Sequence, residues 1–303
     1  MHRRYTLDEV KRKVIEALQD NVTGLSGVEL ASTAGINRMT ITKYLNILET
    51  MRLIKKKKVG SVNVWFAERG TEDYEFPVNY LEVQQKFINA IVLGDEDQAR
   101  NILISVINSN IELLKILTDI IIPTLNTINE LYNRGRLGKT ERIYLLNLIL
   151  ELIDLLKFTI ESDNSKRGAN SFFVVASEDR IYHAKIGALA LQILGFRTSY
   201  IGNVEQHIDP FFDIDFQRYI MKLWDKKKGL LIICIYSSEE GSLRFLYAAT
   251  QAIKAKLKAE VRIVIFTTQD LRNTIESLGS DYIATDLNSL VEWVEREYHR
   301  LKL

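Results

Sequence analysis

The sequence has little of what marks a secreted, membrane-spanning or metal-clustered protein. It contains one cysteine, three prolines and four histidines in 303 residues. A single cysteine excludes a disulfide framework and a cysteine-based zinc site, so no metal site is predicted. Cys234 lies in the apolar run 230–236, which predicts a buried small hydrophobic residue. No stretch of about 18 residues is free of charged and polar residues, so no membrane span is predicted. The first residues resemble a charged amphipathic segment rather than a signal sequence, which predicts a cytoplasmic protein.

What is present is a globular composition with an uneven distribution of charge. Hydrophobic residues make up 47% of the chain and charged residues 26%, and the length suits several domains of about 100–200 residues. Residues 1–70 contain 13 Lys and Arg against 7 Asp and Glu, a net charge of +6. Residues 71–303 contain 27 against 32, a net charge of −5. A basic N-terminal segment (the head, residues 1–70) followed by an acidic remainder (the body, residues 71–303) predicts that the head binds a polyanion.

The head, residues 1–70, is predicted to begin with three helices. Capping boxes at Thr6–Glu9 and Ser26–Glu29 start the first two, because hydroxyl and carboxylate groups there satisfy the first free amides. Gly35 makes a short turn after the second helix, and Asn37 caps the third. A helix, a short glycine-containing turn and a second helix form the arrangement that enters the major groove of DNA.

A hairpin is predicted after the third helix. Leu53–Ile54 and Val62–Phe66 have strand character, and between them lie Lys55–Lys58 and a turn at Gly60–Ser61. Together with the pattern of Leu30–Leu45, this head resembles the winged-helix family of DNA-binding domains. The resemblance implies double-stranded DNA as partner; the alternative is a winged helix used for protein contacts. It places Arg38, Thr40, Thr42 and Lys43 on bases, and Lys57, Lys58 and Ser61 on phosphates.

A linker at 71–79 and a four-helix bundle over 80–165 are predicted next, from the helical spacing of apolar residues and the short connections. The landmarks of this region are Ala90–Asp95, Ala99–Arg100, Ile122–Pro123, Ile128–Tyr132, Arg134–Gly135 and Thr140–Arg142. In this order they resemble the helical cap before the cobalamin-binding domain of corrinoid methyltransferases and cobalamin-dependent light-sensing repressors. The resemblance implies that Tyr132 replaces a tryptophan over the corrin. It also implies that Glu141 is kept and that Arg142 replaces a histidine.

The third region, 170–303, is predicted to form a doubly wound, five-stranded parallel sheet of Rossmann or flavodoxin type, because strands alternate with helical stretches. The predicted strands are 172–176, 198–201, 230–236, 261–266 and 282–284. Ligands of such sheets bind at the carboxyl ends of the strands. The loops after Ala176, Tyr236 and Phe266 are therefore the candidate site.

This region resembles the cobalamin-binding domain, which has a histidine three residues before a glycine after its first strand. The resemblance implies that the histidine binds cobalt and that the nucleotide arm of the cofactor passes where only glycine allows a close approach. Here His183 stands four residues before Gly187, so the family spacing falls on Ala184. Ser237 and Ser238 match the loop after the third strand. The loop with Thr267 lacks the glycines of the family.

These departures favour an α/β multi-domain transcriptional regulator whose body senses or oligomerises without cobalamin. The alternative is a genuine cobalamin-dependent sensor of light or corrinoid, or a corrinoid methyltransferase-type protein. No enzyme signature is present, and a homodimer or higher homo-oligomer is expected. The apolar runs 120–122, 145–146 and 148–150 predict a subunit contact, with packing against the α/β domain as the alternative. The candidate ligand-binding residues are Tyr132, Glu141, Arg142, His183, Ser237, Ser238 and Thr267.

Overall fold

The computed structural model describes residues 5–19, 21, 23–51, 53–68, 80–109, 111–160, 169–208, 211–224, 229–257, 260–267 and 271–301. The chain divides into two compact units, Met1–Glu112 and Leu113–Leu303. None of the helices in the described ranges has the length and apolar composition needed to cross a membrane.

The first unit begins with three helices and a small antiparallel sheet of order β1-β3-β2. The elements are α1 (Leu7–Gln19), β1 (Leu25–Ser26), α2 (Gly27–Ala34), α3 (Arg38–Thr50), β2 (Ile54–Val59) and β3 (Val62–Ala67). The predicted helix starts are confirmed: Ser26 and Glu29 form both hydrogen bonds of a capping box. The side-chain oxygen of Asn37 accepts a hydrogen bond from the Met39 amide at 2.9 Å. Gly35 ends α2 at a φ of 64°, which favours glycine.

The hairpin differs from the prediction in one respect: the lysines belong to a strand. Lys55–Lys58 pair in antiparallel register with Asn63–Phe66, and the chain turns at Gly60. Strand β1 was not predicted, because it has two residues and forms only by pairing with Val64 and Trp65 of β3. The core beneath this sheet consists of Val10, Val14, Ile15, Leu18, Leu30, Ile41, Leu45, Leu48, Ile54 and Trp65.

The rest of the first unit is a pair of helices, α4 (Tyr80–Val92) and α5 (Glu96–Asn108). Asp95 caps α5 by accepting a hydrogen bond from the Gln98 amide at 3.0 Å. The buried side chains recur at helical spacing, as the sequence predicted: Val83, Phe87, Ala90 and Ile91 on α4, and Ala99, Ile102, Leu103 and Val106 on α5.

The second unit begins with a continuous helical stretch: α6 (Leu113–Lys115), a π-helical segment (Ile116–Ile121) and α7 (Ile122–Asn133). Pro123 is the second residue of α7 and lies inside this continuous stretch, so it marks a change from π-helix to α-helix and not the start of a separate helix. Proline has no amide hydrogen, and its ring crowds the carbonyl four residues before it, so a wider turn ahead of it relieves the conflict. Helix α8 follows over Lys139–Thr159.

A five-stranded parallel sheet forms the rest of the second unit, in the order β5-β4-β6-β7-β8. The strands are β4 (Ala169–Val175), β5 (Arg197–Asn203), β6 (Leu230–Tyr236), β7 (Glu260–Phe266) and β8 (Tyr282–Ala284). The helices are α9 (Ile181–Ile193), α10 (Phe212–Leu223), α11 (Glu240–Lys256), α12 (Arg272–Leu278) and α13 (Leu287–Arg300), with 3₁₀ turns at Glu178–Arg180 and Glu205–His207. The predicted parallel α/β fold is confirmed.

Alternate residues of the central strands pack on opposite faces of the sheet, which is why these strands are apolar throughout. One face packs beneath α10 and α11 and includes Phe172, Val174, Trp224, Leu231, Ile233, Ile235, Leu243, Leu246, Ile253 and Ile263. On the other face, Phe173 and Tyr236 approach Gly187 of α9 and Leu290 of α13. Cys234 is fully buried in β6, as predicted.

The boundary between the two units falls inside residues 80–165, which the sequence predicted as one bundle. Helices α4 and α5 belong to the first unit and α6–α8 to the second, and α8 contacts α9 of the sheet domain. A single bundle domain remains a prediction. The predicted linker 71–79 lies outside the described residues, as does the end of the predicted bundle at 161–165.

Candidate functional site

A cavity of about 240 Å³ lies in the second unit at the carboxyl edge of the parallel sheet. The last residues of three neighbouring strands, Tyr236, Phe266 and Ala284, form part of its wall. The remaining lining residues are Ile122, Asn126, Arg180, His183, Ile186, Thr267, Thr285, Asp286 and Leu287. The cavity therefore occupies the place where parallel α/β sheets bind ligands. Two of the predicted ligand-binding residues, His183 and Thr267, line it.

Three residues that line this cavity have buried side-chain polar atoms outside hydrogen-bond geometry with the rest of the described chain. His183 Nδ1 and Thr267 Oγ1 are buried and have no partner among the described residues. Arg180 Nε lies 3.2 Å from the Asp179 carboxylate, as an ion pair, but outside hydrogen-bond geometry. An unsatisfied buried polar group costs about 1–3 kcal/mol.

His183 reaches the cavity because of its place in the first turn of α9. The 3₁₀ turn at Glu178–Arg180 leads directly into α9, and His183 is the third residue of that helix. Ala184, where the family spacing falls, is completely buried instead. Burial and the neighbouring Arg180 cation lower the pKa of His183, and the Asp179 carboxylate and a hydrogen bond with the Asp179 backbone partly oppose them. The imidazole is thus favoured in its neutral form, which is the form that binds metals.

Ser237 and Ser238 act in a different way from their predicted role, since neither lines the cavity. The Ser238 amide donates to Ser177 Oγ at 2.7 Å, and the Ser238 hydroxyl donates to the Asp179 carboxylate at 2.8 Å. Ser237 Oγ, fully buried, accepts from the Glu239 amide at 3.1 Å. These bonds join the loop after β6 to the loop after β4. They therefore position the segment that carries Arg180 and His183.

Tyr132, Glu141 and Arg142 lie apart from the lining of the cavity. The Arg142 guanidinium stacks over Tyr132 at 5.0 Å from the ring centre and donates two hydrogen bonds to Asn129, at 2.8 and 3.1 Å. Glu141 closes the capping box of α8 by accepting from the Gly138 amide at 3.3 Å. The Arg142 charge also acts on Tyr182, beside His183, where burial raises the tyrosine pKa and Arg142 opposes the rise.

Sequence reasoning missed the contribution of α7 to the cavity. Ile122 and Asn126 line it, and they are four residues apart, on one face of α7. Asn129, which holds Arg142, continues that face. The spacing of residues 122, 126 and 129 predicts that they share one face of a helix. Only the packing shows that this face meets the edge of the sheet. No group of three or more His, Cys, Asp and Glu side chains that could share a metal occurs within the described ranges.

The predicted DNA-contacting residues of α3 lie at the surface of the first unit. Arg38, Thr42 and Lys43 are exposed and Thr40 is half-buried. The Thr42 hydroxyl donates to the Arg38 carbonyl at 2.8 Å, so its hydrogen is used within the helix. Sequence reasoning missed Met39, which is 77% exposed on the same helix.

The four lysines of β2 divide into two pairs. Lys55 forms an ion pair with Glu68 at 3.5 Å, and Lys56 forms one with Glu49 at 2.8 Å. Lys57 and Lys58 are exposed and form no ion pair with another described residue. These two are the lysines that the sequence placed on phosphates. Ser61, the third such residue, is exposed in the turn.

Comparison with known proteins locates the cobalamin-related part of the chain. Residues 83–157 match a family described as "B12 binding domain". The fold resembles that of the monomethylamine corrinoid protein of Methanosarcina barkeri, at 14% identity, with a TM-score of 0.55, over 71% of this chain and 97% of that one. A cobalamin-binding protein from Desulfitobacterium hafniense DCB-2 matches 71% of this chain and 98% of its own, at 14% identity and a TM-score of 0.38. Among curated proteins no sequence matches significantly. The chain therefore contains a cobalamin-binding-like module with a corrinoid-protein fold.

Proposed function

We propose that the protein is a DNA-binding regulator whose second unit binds a corrinoid. The observation that carries the corrinoid part is the match of residues 83–157 to a cobalamin-binding family, together with a cavity at the carboxyl edge of the sheet that His183 and Thr267 line. A cobalamin-dependent sensor was the alternative that the sequence left open. The family match over 83–157 and the corrinoid-protein fold support it over a body without cofactor.

Several residues that line the cavity offer chemical groups that suit a corrinoid. A neutral imidazole is a suitable ligand for cobalt, and the lowered pKa of His183 favours that form. The hydroxyl of Thr267 and the guanidinium of Arg180 offer donors to the amide groups around a corrin ring. When bound, the corrinoid would supply a coloured cobalt centre, and His183 is the residue that would hold it. The chain's own residues would bind it, orient it and limit its contact with water.

Reconstitution tests this proposal. The purified full chain is mixed with corrinoids, freed of excess by gel filtration and measured by absorbance. We expect a stoichiometric corrin spectrum, and we expect His183→Ala to shift its bands and weaken binding by at least about tenfold, or 1.4 kcal/mol. His207→Ala is the control, because His207 is an exposed histidine on the 3₁₀ turn Glu205–His207 and does not line the cavity. A colourless wild-type protein would contradict the proposal.

The DNA-binding part of the proposal is supported by the first unit. Three helices followed by a β-hairpin, with β1 pairing to β3, match a winged helix. Helix α3 presents Arg38 and Lys43 at the surface, and neither forms an ion pair with another described residue. Charged side chains without partners on such a helix are suited to base edges and phosphates.

Substitutions on α3 test this second part. Arg38→Ala or Lys43→Ala should weaken binding to a selected operator by about 1–3 kcal/mol, the value of a bidentate base contact. Arg12→Ala is the control, since Arg12 is an exposed arginine of α1. Fluorescence anisotropy measures the affinities. Unchanged affinity in both α3 variants would exclude α3 from the major groove.

Within this proposal the protein binds and does not catalyse. It acts in the cytoplasm as a homodimer or higher homo-oligomer on double-stranded DNA. The corrinoid methyltransferase reading is the second candidate, and the corrinoid-protein fold supports it equally. The exposed lysines of β2 and the basic head favour the regulator.

A further inference from the structure

We propose that the outer face of α10 is the surface through which two copies of this chain associate, as an antiparallel helix pair about a two-fold axis. The inference rests on the homodimer of the proposed function and gives that dimer a surface. The α10 face consists of six exposed residues at helical spacing, which places them on one side of the helix: Phe211, Ile214, Asp215, Arg218, Tyr219 and Lys222.

Three large apolar side chains of the α10 face are open to solvent. Phe211, directly before the helix, is 74% exposed, and Ile214 and Tyr219 are each 47% exposed. Single exposed apolar residues are ordinary on a protein surface, whereas neighbouring ones that are surrounded by charged residues mark an interaction surface. The α10 face therefore has the composition of a protein–protein contact.

The inner side of α10 is firmly packed, which holds its outer side in place. Phe216 and Ile220 are buried in the core of the domain, and the ring of Phe216 stacks on Phe212 with 5.5 Å between the ring centres. The side-chain oxygen of Gln217 accepts a hydrogen bond from Lys256 Nζ of α11 at 2.6 Å. A surface that is already ordered loses little conformational freedom on binding, which favours association.

The order of the charges along α10 matches a second copy in the antiparallel orientation. A two-fold axis between positions 216 and 217 sets position 215 of one copy opposite position 218 of the other, and position 211 opposite position 222. Asp215 then meets the opposite charge of Arg218. Phe211 meets the aliphatic stem and the ammonium group of Lys222. A parallel pair would bring each charge beside its own copy, which is repulsive.

The charges of the α10 face are not neutralised within the chain. Asp215, Arg218 and Lys222 form no ion pair with another residue that the structure describes. A helix of 12 residues is only about 18 Å long, so the contact is small and the dimer is weak. A weak contact is enough for a regulator, because two heads on one DNA molecule hold the two copies at a high effective concentration.

Charge reversal tests the antiparallel pair, with the full chain studied by sedimentation velocity at a series of micromolar concentrations. Asp215→Arg or Arg218→Asp alone sets like charges opposite each other twice in each dimer, so we expect either variant to weaken the dimer at least about tenfold. The double variant again sets opposite charges together, and we expect it to recover the dimer. Ile214→Ser with Tyr219→Ser should weaken the dimer as well, because it removes apolar contact area.

Mixing the two single variants gives a second test. One variant then has two positive charges where the other has two negative charges, so we expect the mixture to form a heterodimer although each variant alone is monomeric. Arg296→Asp is the matched control, since Arg296 is exposed on α13, which packs against the opposite face of the sheet. Thermal unfolding checks that every variant is folded, as we expect of substitutions at exposed positions.

Three results would overturn the inference: a wild-type chain that stays monomeric, a dimer that the single charge reversals leave unchanged, or a double reversal that recovers nothing. None of these touches the binding of a corrinoid or of a single half-site. The corrin spectrum and operator anisotropy measure those two activities separately, so their absence would contradict the proposed function and not the α10 contact.

Discussion

The contact between Gly187 and Tyr236 shows how tertiary packing determines the residue type at one position of a helix. Alanine in a helix is ordinarily about 1 kcal/mol more favourable than glycine, yet Gly187 lies within α9. The reason is the Tyr236 hydroxyl, which lies 2.6 Å from the place of a Cβ atom at residue 187. Local propensity is therefore overruled by a contact from a strand 49 positions away in the sequence.

This contact predicts a specific pattern of stabilities. Gly187→Ala should lower the free energy of unfolding by about 1–3 kcal/mol, the usual cost of overpacking. Tyr236→Phe removes the closest atom, so the double variant should be more stable than the sum of the single effects predicts. Gly241→Ala on α11 is the control, because nothing lies within 4 Å of its Cβ position. Urea unfolding gives the four values, and strict additivity would contradict the contact.

At the scale of elements, the β2–β3 hairpin has two kinds of lysine that the sequence alone could not separate. Glu49 of α3 and Glu68 after β3 engage Lys56 and Lys55, while Lys57 and Lys58 extend beyond both carboxylates. Exposed ion pairs contribute at most about 1 kcal/mol. They nevertheless neutralise two of the four charges that DNA would meet.

The hairpin should therefore contact phosphate mainly through its outer pair. Lys57→Gln with Lys58→Gln should weaken binding to all DNA sequences alike. It should also reduce the slope of log affinity against log salt by roughly 0.9 for each phosphate that a lysine no longer neutralises. Lys55→Gln with Lys56→Gln is the matched control and should change the slope less. An equal change in both double variants would show that the ion pairs open on DNA.

At the scale of the whole molecule, the expected oligomer lacks the support that the sequence suggested. Ile120, Ile121, Leu145, Leu146, Leu148 and Ile149 are buried within the chain, and Ile122 lines the cavity. Their burial leaves little of these side chains for a subunit contact, and the alternative was that they pack against the α/β domain. The homodimer remains a prediction based on the DNA-binding head, since one such head covers a single half-site.

Light scattering and operator binding test the dimer. We expect a symmetric dimer at micromolar concentration and cooperative occupation of a palindromic site, because two heads joined by the body bind two half-sites together. Removal of one half-site should reduce the affinity strongly, since the second head then has no specific sequence to bind. A strict monomer that occupies both half-sites independently would refute this prediction.

The sequence by itself determined those elements that depend on interactions between residues close together in the chain. Caps at Ser26 and Asn37 and the apolar strand 230–236 follow from side-chain chemistry within a few residues, and each is confirmed. Only the tertiary structure decided which of these elements meet. The cavity combines one face of α7, the first turn of α9 and three strand ends that lie far apart in the chain. Whether His183 or Ala184 lines the cavity likewise depends on the residue at which α9 begins. Successive side chains of a helix point about 100° apart, so a shift of one residue would turn His183 away from the cavity.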